Sequence, residues 1–293
     1  MKIALLVSGP KGARFLRNFH SNADIECVVS YASKGSRFDA YADIQTVCRE
    51  RGYKFLEREK AHGEDYVAAD LILLIGWQWI EQAVDRRHIV FHDSLLPRLR
   101  GFNPTVTALI AGDAEIGVSA FRPADGDPSL IDSGPVFGQE KISIGYPITI
   151  QDAYKLLGGA YCRLAERVVN SAGSGTLSFL PQDSENATYS LWRDEDDYWI
   201  DWKKSAEEIR RFVDAVGWPY MGAKCRMQGR EIRLDRVEVA DNLTFVNRHP
   251  GKVWSLSRGT PIVVCGSGTL RILEAREVEG AAVAFKSLRC RLE

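Results

Sequence analysis

Residues 1 to about 145 alternate short apolar runs with stretches of helical periodicity, and this alternation constrains the fold more than any other feature of the sequence. The run Leu71–Ile75 is continuously apolar, which is typical of a strand covered on both faces. Strands that alternate with helices predict a parallel or mixed sheet with helices on both faces. The other strand-like runs lie at residues 2–7, 25–30, 88–91, 118–121 and 136–139.

Two longer segments have helical periodicity and help to divide the chain. Apolar residues at positions 42, 44, 47 and 48 predict a helix that ends at Gly52, which suits a C-cap. A capping-box pattern at residues 149–152 predicts another helix, which closes the first domain near Ser171. We therefore expect a catalytic domain at residues 1–171, a linker at 172–198 and a second domain at 199–293.

The expected second domain has a different pattern. A capping box at residues 205–208 precedes one more amphipathic helix. Short strand-like runs follow at residues 231–239, 251–256, 261–265 and 269–274, which is typical of a small β-barrel or sandwich. The acidic run at residues 194–197 is expected to be a solvated loop.

Composition excludes some classes of protein. The 38 basic and 39 acidic residues give a formal net charge of -1, whereas nucleic-acid-binding proteins usually have a basic excess. No apolar stretch reaches the roughly 18 residues of a membrane span. The six cysteines form no C-x-x-C pair, so we expect packed, reduced thiols, no metal site and a cytoplasmic location.

The segment from His92 to Pro104 is the most informative for chemistry. It directly follows the strand-like run at residues 88–91. Ligands of open α/β sheets bind beyond the carboxyl ends of strands, so His92 lies where a catalytic side chain is expected. The alternative is that a single histidine at a strand end is a hydrogen-bonded structural residue.

A second segment, residues 123–135, is a turn-rich loop between two predicted strands. Its acidic residues are Asp125, Asp127 and Asp132, and any of them can be a turn former, since Asp favours turns. Periodicity alone does not choose among the three.

Together the two segments resemble the 10-formyltetrahydrofolate-dependent formyltransferases. The shared motifs are His-x-Ser-Leu-Leu-Pro-x-x-Arg-Gly at residues 92–101, Ala-Leu-Ile-x-Gly at 108–112 and Asp-Ser-Gly at 132–134. The resemblance implies a Rossmann-like domain with a mostly parallel sheet, followed by a small OB-like β-barrel. The C-terminal part of the chain supports the expected second domain, since residues 200–202, 216–223 and 265–270 are similar to stretches of the two-domain members.

The resemblance also implies catalytic roles. It places an Asn, a His and an Asp around the formyl group, and the last two correspond to His92 and Asp132. The Asn is expected two residues before the His, where this chain has Val90. A water, a backbone N–H or the side chain of Asn103 are the candidates to replace it.

Binding residues follow from the same resemblance. Folate is expected in a slot formed by Ile75, Gly76 and Trp77 and by the loop with Asp125, Gly126 and Asp127. Trp77 is alternatively a core aromatic, and Trp79, in the helical continuation, is expected to be one. The turn Ser8-Gly9 resembles a weak phosphate loop. The expected acceptor-binding residues are Ser8, Gly9, Arg98, Arg100 and Gly101, with Tyr220 as a further aromatic candidate.

The acceptor is the open question of the resemblance. Residues 30–39, which correspond to a basic tRNA-binding loop of methionyl-tRNA formyltransferases, are short and weakly basic here. We therefore expect the amine of a nucleotide-linked amino sugar as acceptor, with tRNA as the alternative. The residues also leave open a formyltetrahydrofolate hydrolase and a catalytically silent folate-binding or nucleotide-binding module. A homodimer is a further expectation.

Overall fold

The computed structural model describes residues 1–32, 38–60, 63–66, 68–79, 84–124, 130–257 and 259–293. The chain divides into two compact units. The first unit comprises Met1–Thr105, Ala114–Ile144 and Asp152–Trp192, and the second comprises Val106–Asp113, Gly145–Gln151 and Arg193–Glu293. The expected domain boundaries near residues 171 and 199 stay a prediction.

The first unit is built on a seven-stranded sheet in the order β3-β2-β1-β4-β5-β7-β8. The first five of these strands run parallel, while β7 pairs antiparallel with both β5 and β8. This confirms the predicted α/β class and the mostly parallel sheet. The strands up to residue 190 are β1 (Lys2–Val7), β2 (Asp24–Ser30), β3 (Phe55–Glu57), β4 (Leu71–Ile75), β5 (His88–His92), β6 (Arg100–Gly101), β7 (Glu115–Phe121), β8 (Val136–Ser143) and β9 (Tyr189–Ser190).

Among the described residues before 174 there are four α-helices: α1 (Gly9–Asn18), α2 (Tyr41–Arg51), α3 (Pro104–Ala111) and α4 (Ile150–Gly173). The predicted C-cap is confirmed, because Gly52 has φ +69° and its N–H donates to the last turn of α2. Short 3-10 turns occur at Arg58–Lys60, Gly63–Tyr66 and Ser184–Asn186.

Strand β4 lies at the centre of the core, as its continuous apolar run predicts. All five of its residues are buried, and Ile72 and Leu74 pack with residues of β1 and β2 in one apolar cluster. Apolar burial of this kind stabilises the fold by about 25 cal/mol per Å². A rigid β4 fixes the neighbouring strand β5, at whose carboxyl end His92 lies.

The second unit contains the helix α5 (Ala206–Val216) and a five-stranded antiparallel sheet in the order β10-β11-β14-β13-β12. The predicted capping box is confirmed, since Ser205 and Glu208 exchange side-chain and backbone hydrogen bonds at the start of α5. The strands are β10 (Ala223–Met227), β11 (Arg230–Ala240), β12 (Val253–Ser257), β13 (Thr260–Val264) and β14 (Thr269–Glu277).

Two features of the second unit differ from expectation. The acidic run is exposed to solvent as expected, but it is not irregular, because Asp194 caps the 3-10 turn Glu195–Tyr198. Glu195 also forms an ion pair of 2.7 Å with the buried Arg233. Strand β10 was not predicted, since its alternation of Lys224 and Arg226 with smaller residues hides the strand pattern. Lys224 is buried because its ammonium group lies over the ring of Trp199 at 4.4 Å.

Asp214, in the last turn of α5, gives this unit a pH-dependent stability. Burial raises the pKa of Asp214 to about 6, although Arg210, 3.0 Å away, opposes the shift. The unfolded chain has the ordinary value of about 3.9. Asp214 therefore contributes stability that is complete below about pH 4 and is lost as the pH rises through about 6.

We expect the variant Asp214→Asn to lack this titration. As the pH rises from 4 to 7, the parent protein should lose on the order of 2–3 kcal/mol of its free energy of unfolding relative to the variant, at about 1.4 kcal/mol per pKa unit. Denaturant unfolding at several pH values measures the difference. Glu207→Gln, which changes the more exposed partner of Arg210, is the control, and equal pH curves for Asp214→Asn and the parent would contradict the assignment.

No helix in the described part of the chain is long and apolar enough to cross a membrane. The six cysteines are all unpaired and buried, as expected for packed thiols.

Candidate active site

His92 is the last residue of β5, and its buried side chain is held on two sides. Its Nδ1 lies 3.4 Å from Oδ2 of Asp132, and its Nε2 lies 2.8 Å from the carbonyl oxygen of Leu99. A carbonyl oxygen only accepts hydrogen bonds, so Nε2 carries a hydrogen in this contact. The arrangement places one ring nitrogen against a carboxylate and fixes the plane of the imidazole.

The loop that follows β5 supplies the Leu99 carbonyl. Leu99 has a left-handed backbone with φ +57°, which an apolar residue rarely adopts. Its N–H donates to Oγ1 of Thr188 at 2.9 Å, which holds this conformation. The unusual backbone therefore turns the carbonyl oxygen of Leu99 towards His92, and hydrogen bonds with segment 188–190 stabilise the loop.

Asp132 is fixed through both its side chain and its backbone. Its Oδ2 accepts a hydrogen bond of 2.8 Å from the N–H of Gly101, and its carbonyl oxygen accepts one of 2.7 Å from Nε2 of Gln182. Its φ of +52° lies in the left-handed region, which Asp tolerates better than most residues. The structure thus brings His92, Asp132 and Gly101 together, whereas the other two acidic candidates of this loop lie outside the described residues.

Two glycines of the motifs are required by close backbone approach. A Cβ on Gly134 would clash with the carbonyl oxygen of Arg122. A Cβ on Gly101 would lie 2.5 Å from the carbonyl oxygen of Ser190, and Gly101 also has φ +100°. Gly101 therefore shapes the loop that carries the N–H donor to Asp132.

The position expected for an Asn is apolar in the structure as well. Val90 is partly buried and packs against the core cluster around β4. Asn103 has φ +50° and directly precedes α3, and among the described residues no hydrogen bond joins its side chain to His92 or Asp132. The structure does not bring Asn103 into the His92–Asp132 pair.

The expected folate residues at the end of β4 are mostly engaged within the protein. Ile75 is fully buried, and its carbonyl oxygen accepts from the N–H of Ser8 at 3.2 Å. Trp77 packs against the core cluster and the ring of Tyr31, 5.2 Å away. Gly76, with φ +63°, lets the Ser8 backbone approach. Asp125, Gly126 and Asp127 lie outside the described residues.

The expected acceptor residues have different environments. Ser8 is buried and its hydroxyl bonds with Tyr31 and with the carbonyl oxygen of Gly76, so it joins β1, β2 and β4. Arg100 is buried against Gln182, whereas Arg98 is exposed. Gly9 begins α1 with φ +64°. Tyr220 belongs to the second unit.

Several residues near the site were not predicted. Asp93, beside His92, is buried and its carboxylate contacts Lys11, the hydroxyl of Tyr161 and Oγ1 of Thr105. An acidic residue directly after a strand-end histidine was the available signal for this network. Gln182 and Thr188 gave no signal, because they lie about 80 residues away in an irregular segment.

Trp79 differs from the expected core position. Its side chain is half exposed, and the guanidinium of Arg58 lies 4.1 Å from the ring centroid. Within the described ranges no group of three His, Cys, Asp or Glu side chains is arranged to bind a metal ion.

Curated relatives of this chain are methionyl-tRNA formyltransferases. The protein of Sorangium cellulosum (strain So ce56) is 29% identical over 249 residues, which are 81% of this chain and 78% of that protein. The protein of Methylibium petroleiphilum (strain ATCC BAA-1232 / LMG 22953 / PM1) is 33% identical over 211 residues, which are 71% of this chain and 63% of that protein.

A solved structure with a similar fold is an N-formyltransferase of Helicobacter canadensis in complex with folinic acid and dTDP-3-aminofucose. The TM-score is 0.66 at 13% identity, and the match covers 97% of this chain and 100% of that one. This likeness shows the fold alone. The expectation of a nucleotide-linked amino sugar as acceptor is therefore wrong, because the relatives with 28–33% sequence identity carry the methionyl-tRNA name.

Family models match both parts of the chain. The formyl transferase model matches residues 1–157, which include His92 and Asp132, and the formyl transferase C-terminal domain model matches residues 193–291. Because the two matches follow in order and together cover most of the sequence, this protein belongs to the formyl transferase family and is a formyltransferase.

Proposed function

We propose that this enzyme transfers the formyl group of 10-formyltetrahydrofolate to the α-amino group of methionyl-tRNA. The observation that carries the proposal is the His92–Asp132 pair at the end of β5, with 3.4 Å between Nδ1 and Oδ2. The names of the relatives support the acceptor. The reaction forms a carbon–nitrogen bond from the formyl carbon to the amine and breaks the carbon–nitrogen bond to the folate. The site therefore has to take one proton from the amine and return one to the folate nitrogen that leaves.

The side chains of the site fit a formyl-carrying folate. Formyl transfer needs a hydrogen-bond donor for the carbonyl oxygen and a base for the amine, and an imidazole beside a carboxylate provides both. When bound, the folate supplies an electrophilic carbonyl carbon and an amine leaving group. We retain Gly76 and Trp77, with Asp125, Gly126 and Asp127 of the neighbouring loop, as the proposed folate residues.

In this proposal His92 is the catalytic proton donor and acceptor. Because Nε2 is held by the carbonyl oxygen of Leu99, Nδ1 is the ring nitrogen that donates to the formyl oxygen. An oxyanion donor of this kind contributes about 10²–10³ in rate. Asp132 orients the ring of His92 and accepts the proton of the amine directly or through water. Gly101 holds Asp132 in place, because its N–H donates a hydrogen bond to Oδ2 of Asp132.

Val90 changes how the charge on the formyl oxygen is shared. An apolar side chain at this position provides no second donor. His92 therefore stabilises a larger share of the transition-state charge than it would beside an Asn. We propose a water or a backbone N–H as the second donor, because Asn103 makes no described hydrogen bond with the pair.

The test is formylation of charged initiator tRNA at two salt concentrations. Protein that neutralises several phosphates loses affinity steeply with salt, with a log–log slope of roughly 0.7–0.9 per phosphate. We therefore expect efficient turnover and a KM that rises several-fold between about 50 and 200 mM salt. Uncharged tRNA and a panel of nucleotide-linked amino sugars serve as controls and should yield no formylated product.

Two results would contradict the proposal. One is formylation of an amino sugar without formylation of methionyl-tRNA. The other is release of formate from the folate at the same rate with and without tRNA, which would indicate a hydrolase.

A further inference from the structure

Part of the predicted linker is fixed to both motif loops of the site. Leu180 pairs with Val136 at the start of β8 through two backbone hydrogen bonds of 2.8 Å. Further along, β9 pairs in parallel with β6, which lies in the loop that follows His92. Residues 180–190 are therefore held at both ends, and we name them the clasp segment. The clasp segment belongs to the first unit, as do His92 and Asp132.

Gln182 lies between these two ends and bonds with both motif loops through its side-chain amide. Its Nε2 donates to the carbonyl oxygens of Asp132 and Gly134, each at 2.7 Å. Its Oε1 accepts from Nε and Nη2 of Arg100 at 3.0 and 2.8 Å. A glutamine amide has two N–H donors and one oxygen with two lone pairs. Every hydrogen-bonding position of this amide is therefore occupied.

The chemistry of the partners fixes the orientation of the amide. A flipped amide would place its oxygen against two carbonyl oxygens and its NH₂ group against a guanidinium, which has no acceptor. In the observed orientation one NH₂ group holds the carbonyl oxygens of the first and last residues of the Asp-Ser-Gly turn. Because Asp132 has φ +52°, these two bonds also stabilise a backbone conformation that few residues adopt.

The same amide is connected to Asp132 by a second route. It holds the guanidinium of Arg100, and the next residue, Gly101, donates its N–H to Oδ2 of Asp132 at 2.8 Å. The backbone and the carboxylate of Asp132 are thus fixed by groups that Gln182 joins. That carboxylate lies 3.4 Å from Nδ1 of His92, and a displacement of about 1 Å in a reacting group can lower a rate by about 10².

Arg100 depends on the same amide for its stability. Its side chain is buried, and its guanidinium bonds with the side-chain oxygens of Gln182 and, at 3.4 Å, of Ser184. Removing the acceptor of a buried cation is destabilising. A substitution that is meant to test the position of Asp132 therefore has to keep an oxygen towards Arg100.

We propose that Gln182 is a positioning residue for formyl transfer, which acts on the rate through the carboxylate of Asp132. Its two N–H groups set the backbone of the Asp-Ser-Gly turn, and the turn sets where the carboxylate meets His92. The inference rests on the proposed function, in which Asp132 accepts the proton of the attacking amine. It makes the clasp segment part of the catalytic architecture.

The experiment is a double-substitution cycle between Gln182 and Asp132. Gln182→Glu keeps an oxygen for Arg100, whose charge favours the ionised carboxylate, and replaces the NH₂ donor by a second oxygen. Gln182→Ala removes both halves of the amide. Each substitution is made in the parent enzyme and in Asp132→Asn. Single-turnover transfer to methionyl-tRNA at saturating substrate gives the rates, and denaturant unfolding gives the stabilities.

Asp183→Ala is the matched control in the clasp segment. Asp183 is the exposed neighbour of Gln182, and its carboxylate accepts hydrogen bonds from the N–H of Glu185 and the side chain of Asn186. Both partners lie within the clasp segment. The control therefore disturbs the segment without removing a contact to Asp132 or Arg100.

In the parent background we expect Gln182→Glu and Gln182→Ala each to lower the transfer rate by at least about tenfold, because the carboxylate is displaced from its place beside His92. In the Asp132→Asn background the same substitutions should change the rate by less than about twofold, because the carboxylate that they displace is already absent. Gln182→Ala should also lower the resistance to denaturant more than Gln182→Glu does. Asp183→Ala should keep the parental rate within about twofold.

Three outcomes would overturn the inference. In the first, the Gln182 substitutions cause equal losses with Asp132 and with Asn at that position, which would mean that Gln182 acts independently of the carboxylate. In the second, both Gln182 variants keep the parental rate or fail to fold, which would assign the residue no role or a role in stability alone. In the third, Asp183→Ala loses as much rate as Gln182→Glu. A parent enzyme that formylates another amine would instead refute the proposed acceptor, and the cycle would then be measured with that amine.

Discussion

Replacing His92 by Asn or Ala should lower the rate of formyl transfer by at least about 10², the size of the loss for one positioned acid–base group or oxyanion donor. His92 is the described imidazole that lies against a carboxylate of the motif loop. Val90 leaves no neighbouring amide to compensate. The loss should appear in kcat, because the substitution removes an interaction made with the transition state.

The measurement is single-turnover transfer to methionyl-tRNA, with folate binding measured separately. The Kd for folate should change by less than about threefold, since the proposed folate residues lie in other segments. His88→Asn is the matched control, because His88 is a buried histidine of the same strand that bonds with Asp85 away from the motifs. Wild-type turnover by the His92 variants would refute the site, as would an equal loss for His88→Asn.

Local patterns were sufficient to predict the elements that carry the site. The continuous apolar run of β4 and the short run of β5 predicted buried strands, and the position of His92 then followed from the rule for strand ends. The C-cap at Gly52 and the capping box at Ser205 were also predicted correctly, because such signals act within a few residues.

Contacts between distant segments could not be predicted. Only the fold shows that Gln182 and the N–H of Gly101 hold Asp132, and sequence alone left three acidic residues open. Trp79 was expected in the core because its position follows β4, but its ring is half exposed beside Arg58. Local periodicity does not show which face of a short segment the tertiary structure covers.

Net charge supported the expectation of an amino-sugar acceptor, which the relatives contradict. A total of -1 averages over the whole surface, whereas binding to a polyanion depends on the local field. The loop from Pro97 to Phe102 and the segment from Thr188 to Trp192 combine two arginines with no acid, although they lie far apart in the sequence. Pairing of β6 with β9 brings the two segments together, and of the two arginines Arg98 is exposed and Arg100 is buried.

Replacing Asp132 by Asn should lower the transfer rate by about 10² or more, because an amide cannot accept the proton of the attacking amine as a carboxylate does. The amide oxygen of Asn still accepts the hydrogen bond from Gly101, so the fold of the loop should survive. Asp132→Ala also leaves that N–H without its partner and should additionally lower the free energy of unfolding by about 1–3 kcal/mol.

The pair of variants separates charge from structure. If Asp132 acts through its charge, Asn and Ala lose similar activity while only Ala loses stability in denaturant unfolding. Ser133→Ala is the control in the same loop, since its hydroxyl bonds only with the carbonyl oxygen of Leu130, and it should retain turnover within a few-fold of the parent. An Asp132→Asn enzyme with parental turnover would mean that this carboxylate only shapes the loop, because the one property the substitution removes is the negative charge 3.4 Å from Nδ1 of His92.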